Sequence, residues 1–246
     1  MKSFRAELHV HTVLSPCAEL EMQPPLIIAE AVQQGIQILA ITDHNASANI
    51  PAVIQAAQGS SITVFPGMEV QTLEEVHCLC LFDTLEQIQA WQKIVDQSLP
   101  EIKNQPDYFG DQLIVDQNGD FLAREERLLL TSTNLTINQA WQQVTQLGGL
   151  FIPAHVDRRA NGLLALLGLV PTDIPLVALE ISRNLSLVDA PHQYPAISGY
   201  PLLRGGDAHQ LENITGFNHF FLDQPSIQEL SWALSGNNGR FLQVSD

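Results

Sequence analysis

Glu7-Leu8-His9-Val10-His11-Thr12 ends the first apolar run of the chain, and its two histidines decide how the rest is read. Residues two apart on a strand share a face, so His9 and His11 point the same way. Outward from them, short runs rich in Val, Ile, Leu and Phe recur near 4–10, 37–42, 62–66, 75–82, 149–154, 176–181, 201–204 and 217–222. Segments with helical periodicity fall at 24–35, 48–58, 84–98, 136–147, 160–168 and 225–236. Strand and helix repeated this often predict an α/β fold, a parallel sheet with helices outside. Pro24-Pro25, Thr136 and Pro225-Ser226 supply helix starts, and Gly35 and Gly148-Gly149 supply stops.

The 246 residues suit a single domain spanning 1–246, with one excursion. From about 104 to 134 the rhythm breaks, and Gln117-Asn118-Gly119-Asp120 reads as the turn of a small β-hairpin. This stretch holds no histidine and is expected to decorate the barrel as an insertion. Hydrophobic residues make up 45% and charged residues 15%, which supplies a large core and excludes disorder. Eleven basic against 27 acidic residues leave a charge of −16, so a basic face for bulk nucleic-acid binding is not expected. The opening Met1–His11 has no apolar h-region, and runs such as 162–170 are too short to span a bilayer. Cys17, Cys78 and Cys80 cannot all pair, so a reducing cytoplasm and no membrane partner are expected.

The other histidines repeat the pattern of the first two. His44 follows Asp43 in Ile41-Thr42-Asp43-His44-Asn45, Glu69 closes Pro66-Gly67-Met68-Glu69, and His77 stands in Val76-His77-Cys78. His155 ends Ile152-Pro153-Ala154-His155, and Asp207 and His209, again two apart, end Gly205-Gly206-Asp207-Ala208-His209. Most lie at C-terminal strand ends, where active sites of β/α barrels assemble. Imidazole and carboxylate in this number point to divalent Zn, Mn or Fe, with a carboxylate such as Glu69 able to bridge two ions. These eight donors suffice for two sites and most of a third. His192 and His219 read as structural.

Leu8-His9-Val10-His11-Thr12, Ile41-Thr42-Asp43-His44-Asn45, Gly67-Met68-Glu69, Pro153-Ala154-His155 and Gly206-Asp207-Ala208-His209 resemble, in content and order, the motifs of the PHP (polymerase and histidinol phosphatase) superfamily. The resemblance runs over about residues 6–222. It implies a distorted seven-stranded (β/α) barrel that holds two or three metal ions and hydrolyses phosphoesters. It further implies that His9, His11, Glu69 and Asp207 hold one ion, Glu69, His77 and His155 a second, and His44 and His209 a third. The chain departs from the family in the loop after His11. Ser15-Pro16-Cys17 stands where relatives often carry His or Asp, so Cys17 is either a thiolate ligand or a packing residue.

The expected chemistry is attack of metal-bound hydroxide on a small phosphomonoester, such as histidinol phosphate, a nucleoside phosphate or bisphosphate, or a short oligonucleotide. Arg158 is the first choice for a phosphate-binding guanidinium and Arg183 the second. Asp43 is expected to orient a ligand, or else to assist proton transfer. Two other readings share the ligand pattern. A dinuclear amidohydrolase would need a bridging lysine, and Lys2, Lys93 and Lys103 lie at no expected strand end. A non-catalytic metal-binding barrel would not need eight intact donors.

Overall fold

The computed structural model describes residues 1–245. β1 (Lys2–Val10), α1 (Pro24–Gln33), β2 (Ile38–Ile41), α2 (Ile50–Ala56) and β3 (Thr63–Gln71) form the first β/α units. β4 (His77–Leu81), α3 (Leu85–Ser98), α4 (Pro106–Phe109), β5 (Leu113–Val115) and β6 (Phe121–Arg124) follow. After them come α5 (Ile137–Gln146), β7 (Leu150–Pro153), α6 (Leu163–Leu167), β8 (Leu179–Ser182) and α7 (Ala190–Gln193). β9 (Leu202–Gly205), β10 (Asn218–Leu222), α8 (Ile227–Leu234) and β11 (Phe241–Val244) close the described chain. The helix starts carry the expected chemistry: Thr84 and Thr136 each close a capping box, with Gln87 and Gln139, and Ser226 caps α8.

One curled sheet runs in the order β11-β10-β1-β2-β3-β4-β7, and β8 pairs in parallel with β9. The two pieces are laced together at the rim. Ala208 N–H donates to the His9 carbonyl at 2.9 Å, His11 N–H to the Ala208 carbonyl at 3.0 Å, and Val156 N–H to the Glu180 carbonyl at 2.8 Å. β1, β2, β3, β4, β7, β8 and β9 thus make a distorted (β/α)7 barrel. Beside the N-terminal half of β1, β10 occupies the edge instead.

The sheet is not all parallel, which corrects the sequence expectation. β4 runs antiparallel to both β3 and β7. Only five residues separate β3 from β4, too few for a parallel crossover, so the chain turns back as a hairpin. The reversal places His77 at the start of β4, opposite Gln71 at the end of β3. His77 therefore reaches the same rim as the C-terminal strand ends.

Alternate residues of the strands divide between two apolar clusters. Leu39, Ile41, Met68, Cys78 and Cys80 pack with Ile27, Val53, Trp91 and Val144 of the flanking helices. Ile38, Ala40, Phe65, Leu79 and Leu81 pack with Phe220, Leu222 and Leu230. Glu69 and His77 continue this second face toward the rim, so the polar site stands on an apolar floor.

The β5–β6 hairpin turns through Asp116–Asp120, with Gly119 at φ +87°. Buried Asn49 clips it to the barrel: its Nδ2 donates to the Leu113 carbonyl and to Thr12 Oγ1, both at 2.9 Å, and its Oδ1 accepts Val115 N–H at 3.0 Å. Asn49→Ala removes all three bonds and leaves the buried Val115 N–H without this acceptor. We expect a stability loss of about 1–3 kcal/mol by urea denaturation, with faster amide exchange at Val115.

Candidate metal centre

Glu69 is fully buried at the centre of the rim, and five imidazoles face it. Its Oε1 lies 2.9 Å from His77 Nδ1, 3.0 Å from His155 Nε2 and 3.3 Å from His9 Nε2. Its Oε2 lies 2.9 Å from His44 Nδ1 and 3.4 Å from His11 Nε2. Asp207 joins from the other side, with Oδ1 at 3.2 Å from His9 Nε2, 3.3 Å from His11 Nε2 and 3.5 Å from His209 Nδ1. All the histidines and acids expected at the strand ends meet here. His192 in α7 and His219 in β10 stay outside the cluster.

Hydrogen bonds behind the rings set which nitrogen faces the cluster. His9 Nδ1 meets Glu180 Oε1 at 2.9 Å, and a carboxylate can only accept, so Nδ1 carries the proton. Ser15 Oγ gives its single proton to Asp43 Oδ1 at 2.7 Å and therefore accepts from His11 Nδ1 at 3.0 Å. Both Nε2 atoms are left buried without a hydrogen-bond partner, lone pairs aimed at carboxylate oxygens. Lone pair against lone pair in a buried site is repulsive, and a cation between them relieves it. The residues present thus fit divalent ions.

Three compact donor sets could hold them: His9, His11, Glu69 and Asp207; His44, Glu69 and His77; and His11, His44 and His209. The first coincides with the set the motifs imply. In the second, His44 stands where the motifs imply His155, although His155 Nε2 still approaches Glu69. In the third, His11 joins His44 and His209, and Cys17 is not among the donors. Cys17 sits beside these rings in the loop after β1. Burial pushes its thiol up, but His44 and His209 outweigh burial and bring it down to about 6. Cys78 and Cys80 are buried in β4, and burial holds both thiols well above their ordinary value.

The cluster is electrostatically polarised. Burial alone would raise Glu69, yet His77, His9 and His44 hold it well below the usual carboxylate range. Burial would lower His9, but Glu180, Glu69 and Asp207 carry it well above its ordinary value. His11 goes the other way, lowered by burial and then by His209 and His44.

The remaining expected residues part company. Arg158 NH1 pairs with Asp207 Oδ2 at 2.5 Å and lines a cavity of ≈ 340 Å³ over the cluster, with Gln71, Leu130 and Asn161 at its rim. Arg183 instead donates to the Gly206 carbonyl at 3.0 Å and does not line that cavity. Asp43 is fully buried and spends its oxygens on Thr12 N–H, Thr12 Oγ1 and Ser15 Oγ, each at 2.7 Å. That geometry suits orientation of His11 through Ser15, and it turns Asp43 away from the cavity.

Glu180 escaped the sequence reading, although an acid inside the apolar run Val177–Ile181 was its signal. Besides orienting His9, its Oε1 accepts His155 N–H at 3.1 Å, which holds His155 at φ +29°. A Cβ on Gly205 would run into the Glu180 carboxylate, so glycine is required there. Asp207, at φ +44°, follows Gly206, whose N–H reaches Glu7 Oε1 at 3.1 Å. Left-handed backbone at non-glycine residues stores roughly 1–3 kcal/mol each, and here it aims two site side chains.

Comparison with known proteins agrees with this geometry. The sequence profile of the PHP domain family matches residues 7–156, and the chain belongs to that family. The 5'-3' exoribonuclease Rnm of Salmonella typhimurium is 34% identical over 73 residues, covering 29% of this chain and 24% of that protein. The uncharacterized protein YqxK of Bacillus subtilis is 23% identical over 98% of this chain and 64% of its own length. Among solved structures, the lesion-specific endonuclease EndoQ of Pyrococcus furiosus superposes with a TM-score of 0.73 at 18% identity, over 98% of this chain and 58% of that one. At that identity the likeness is one of fold. The chain spans less than two thirds of the length of each of these three proteins.

Two measurements check the site. Glu180→Gln keeps the shape of the residue and an acceptor for His9 Nδ1–H but removes the negative charge that raises His9. It should weaken metal binding about 10–100-fold in a competition with a chromophoric chelator, with the fold retained by circular dichroism. In metal-free protein, Cys17 alone should react with iodoacetamide, at a rate rising through about pH 6, because the thiolate forms above the lowered pKa. A rate rising only near the ordinary thiol range would refute that placement.

Proposed function

We propose that this PHP-family chain is a metal-dependent hydrolase of phosphoester bonds acting on a small phosphomonoester. The observation that carries the reading is the buried pair of unpartnered Nε2 lone pairs on His9 and His11, facing Glu69 and Asp207 beneath Arg158. Neutral imidazoles with carboxylates suit Zn, Mn or Fe, in two sites or three. When bound, such ions supply charge neutralisation of a phosphoryl group and water activation at neutral pH.

The chain's own residues supply the remainder. Arg158 presents a planar fork to non-bridging phosphate oxygens beside the cluster. Glu180 and Ser15 keep the His9 and His11 protons on Nδ1, so both Nε2 atoms stay free to ligate. Leu130, delivered by the segment after the β5–β6 hairpin, walls the cavity and keeps bulk water from one side. Against the amidohydrolase reading, Glu69 holds the central position. Lys2 begins β1, Lys93 lies in α3, and Lys103 pairs with Glu126 at the surface.

A second reading, a nuclease, is favoured by the kinship with an exoribonuclease and by the likeness to EndoQ. Endonuclease Q has been solved with a 27-mer duplex substrate whose abasic lesion lies at the active site. That likeness partly conflicts with the expectation of no bulk nucleic-acid binding. The charge of −16 favours the smaller substrate, since long polyanions are repelled at a distance.

A panel separates the two readings: phosphomonoesters, nucleoside bisphosphates, short oligonucleotides and a lesion-bearing duplex, each with Mn and with a chelator. We expect chelator-sensitive phosphate release from the small esters, nearly independent of salt. Duplex cleavage that falls steeply with salt would instead establish the nuclease. Glu69→Gln should lower kcat by about 10²-fold or more. Arg158→Ala should lower kcat/KM about 10–100-fold, as loss of a charged hydrogen bond implies. Full activity in both variants would refute the site.

A further inference from the structure

A second cleft opens beside the metal cavity and shares Arg158 with it. It has a volume of ≈ 300 Å³, at the lower end of the range for small-molecule sites. Leu164 of α6, Tyr194, Pro195 and Ala196 line it together with Arg158 and Arg159, and Arg158 also reaches Asp207 at the cluster. A third depression, lined by His77, His155 and both arginines, shares lining residues with each of them.

The cleft is built rather than incidental. Tyr194 Oη donates to the Asp157 carbonyl at 3.2 Å, which fixes its ring. The Asp157 carboxylate turns away to accept Ser182 N–H at 2.7 Å and Ser182 Oγ at 2.6 Å. A Cβ on Gly162 would collide with the Arg158 carbonyl, so glycine lets α6 start close against the Arg158-Arg159 turn. Arg159 is exposed, and among the described residues no carboxylate pairs with it, in a chain with 27 acidic and eleven basic side chains.

We propose that this cleft receives the organic part of the substrate, and that this part is a flat aromatic ring without positive charge. The inference rests on the phosphoester reading and narrows it. A fixed tyrosine ring and two guanidinium planes all stack on flat π-systems, while Leu164, Pro195 and Ala196 cover its edges. Two arginines with no free acid among them repel an ammonium group, so amino-alcohol phosphates fit poorly. With its phosphate on Arg158 at the cluster, a substrate directs its ester group along the Arg158-Arg159 side into the cleft. A nucleobase and a simple aryl group share this chemistry.

The test compares kcat/KM for three primary alkyl phosphates whose leaving alcohols are of similar basicity, in protein loaded with Mn. They are 2-(1-naphthyl)ethyl phosphate, 5'-AMP and n-butyl phosphate, with ethanolamine phosphate as the cationic control. Wild type should favour one or both of the aromatic esters over butyl phosphate by about tenfold, and ethanolamine phosphate should be poorest. Ala196→Trp, at an exposed position, fills the cleft and should lower kcat/KM for the aromatic esters about tenfold more than for butyl phosphate, which removes the preference. Tyr194→Leu should act in the same direction.

Preference for 5'-AMP alone identifies a nucleobase, and equal preference identifies a general aryl site. Calorimetric binding of the naphthyl ester to metal-free protein, weakened by Ala196→Trp, gives a readout without turnover. If no ester turns over while this binding persists, the phosphoester reading fails and the aromatic cleft stands. If esters turn over with no aromatic preference, or both variants slow all of them alike, the cleft assignment is overturned.

Discussion

A buried carboxylate ringed by five imidazoles cannot be left to itself. Glu69 is fully buried, and the rings around it stabilise its charge only through protons or through metal ions. A proton serves poorly at His11, which burial, His209 and His44 hold well below its ordinary value, and a proton drawn to His9 by the acids around it leaves the His11 Nε2 lone pair unmet. Such a network is worth burying only when every member is satisfied. Divalent ions satisfy it, and metal uptake must displace whatever protons the raised His9 and His44 still hold.

Much of the rim's departure from regular structure serves that one centre. The reversal of β4 brings His77 to the rim, where a parallel strand would have started it at the far end. The β8–β9 pair joins the main sheet through rim contacts and through Asn218 of β10, which exchanges hydrogen bonds with the Arg204 backbone. One rim contact runs through Glu180, which binds His9 on β1 and the His155 backbone after β7. Gly205 is the small residue that lets this carboxylate in. The left-handed backbones of His155 and Asp207 are stored strain at functional positions, held by Glu180 and by the hydrogen bond from Gly206 to Glu7.

The donors themselves were legible because histidine at successive strand ends is a strong local pattern. The helix caps were legible for the same reason, since Thr136 and Ser226 act within one turn. Sheet direction was less accessible, although the five residues between Gln71 and His77 were too few for a parallel return. Glu180 and Glu7 were readable in principle as acids inside apolar runs, yet nothing local says which ring they serve. Arg183 and Arg158 occupy similar places after strand ends, and only the three-dimensional path of Gly206 diverts Arg183 to a carbonyl. Partner choices made across the barrel leave no trace in neighbouring residues.

The charge balance carries the argument to the substrate. A protein at −16 gains nothing from long-range attraction for a phosphate, so binding must come from contacts at short range. Under the proposed reading, the metal donors, Arg158 and Arg159 supply those contacts within one small region. Every doubly ionised monoester presents the same phosphate to them, so the phosphate end cannot tell one ester from another. Discrimination must come from the walls that touch the rest of the molecule. At the shared arginine the proposed walls are Tyr194, Pro195, Ala196 and Leu164, so on this proposal selectivity belongs to α6 and the segment after α7, outside the histidine motifs.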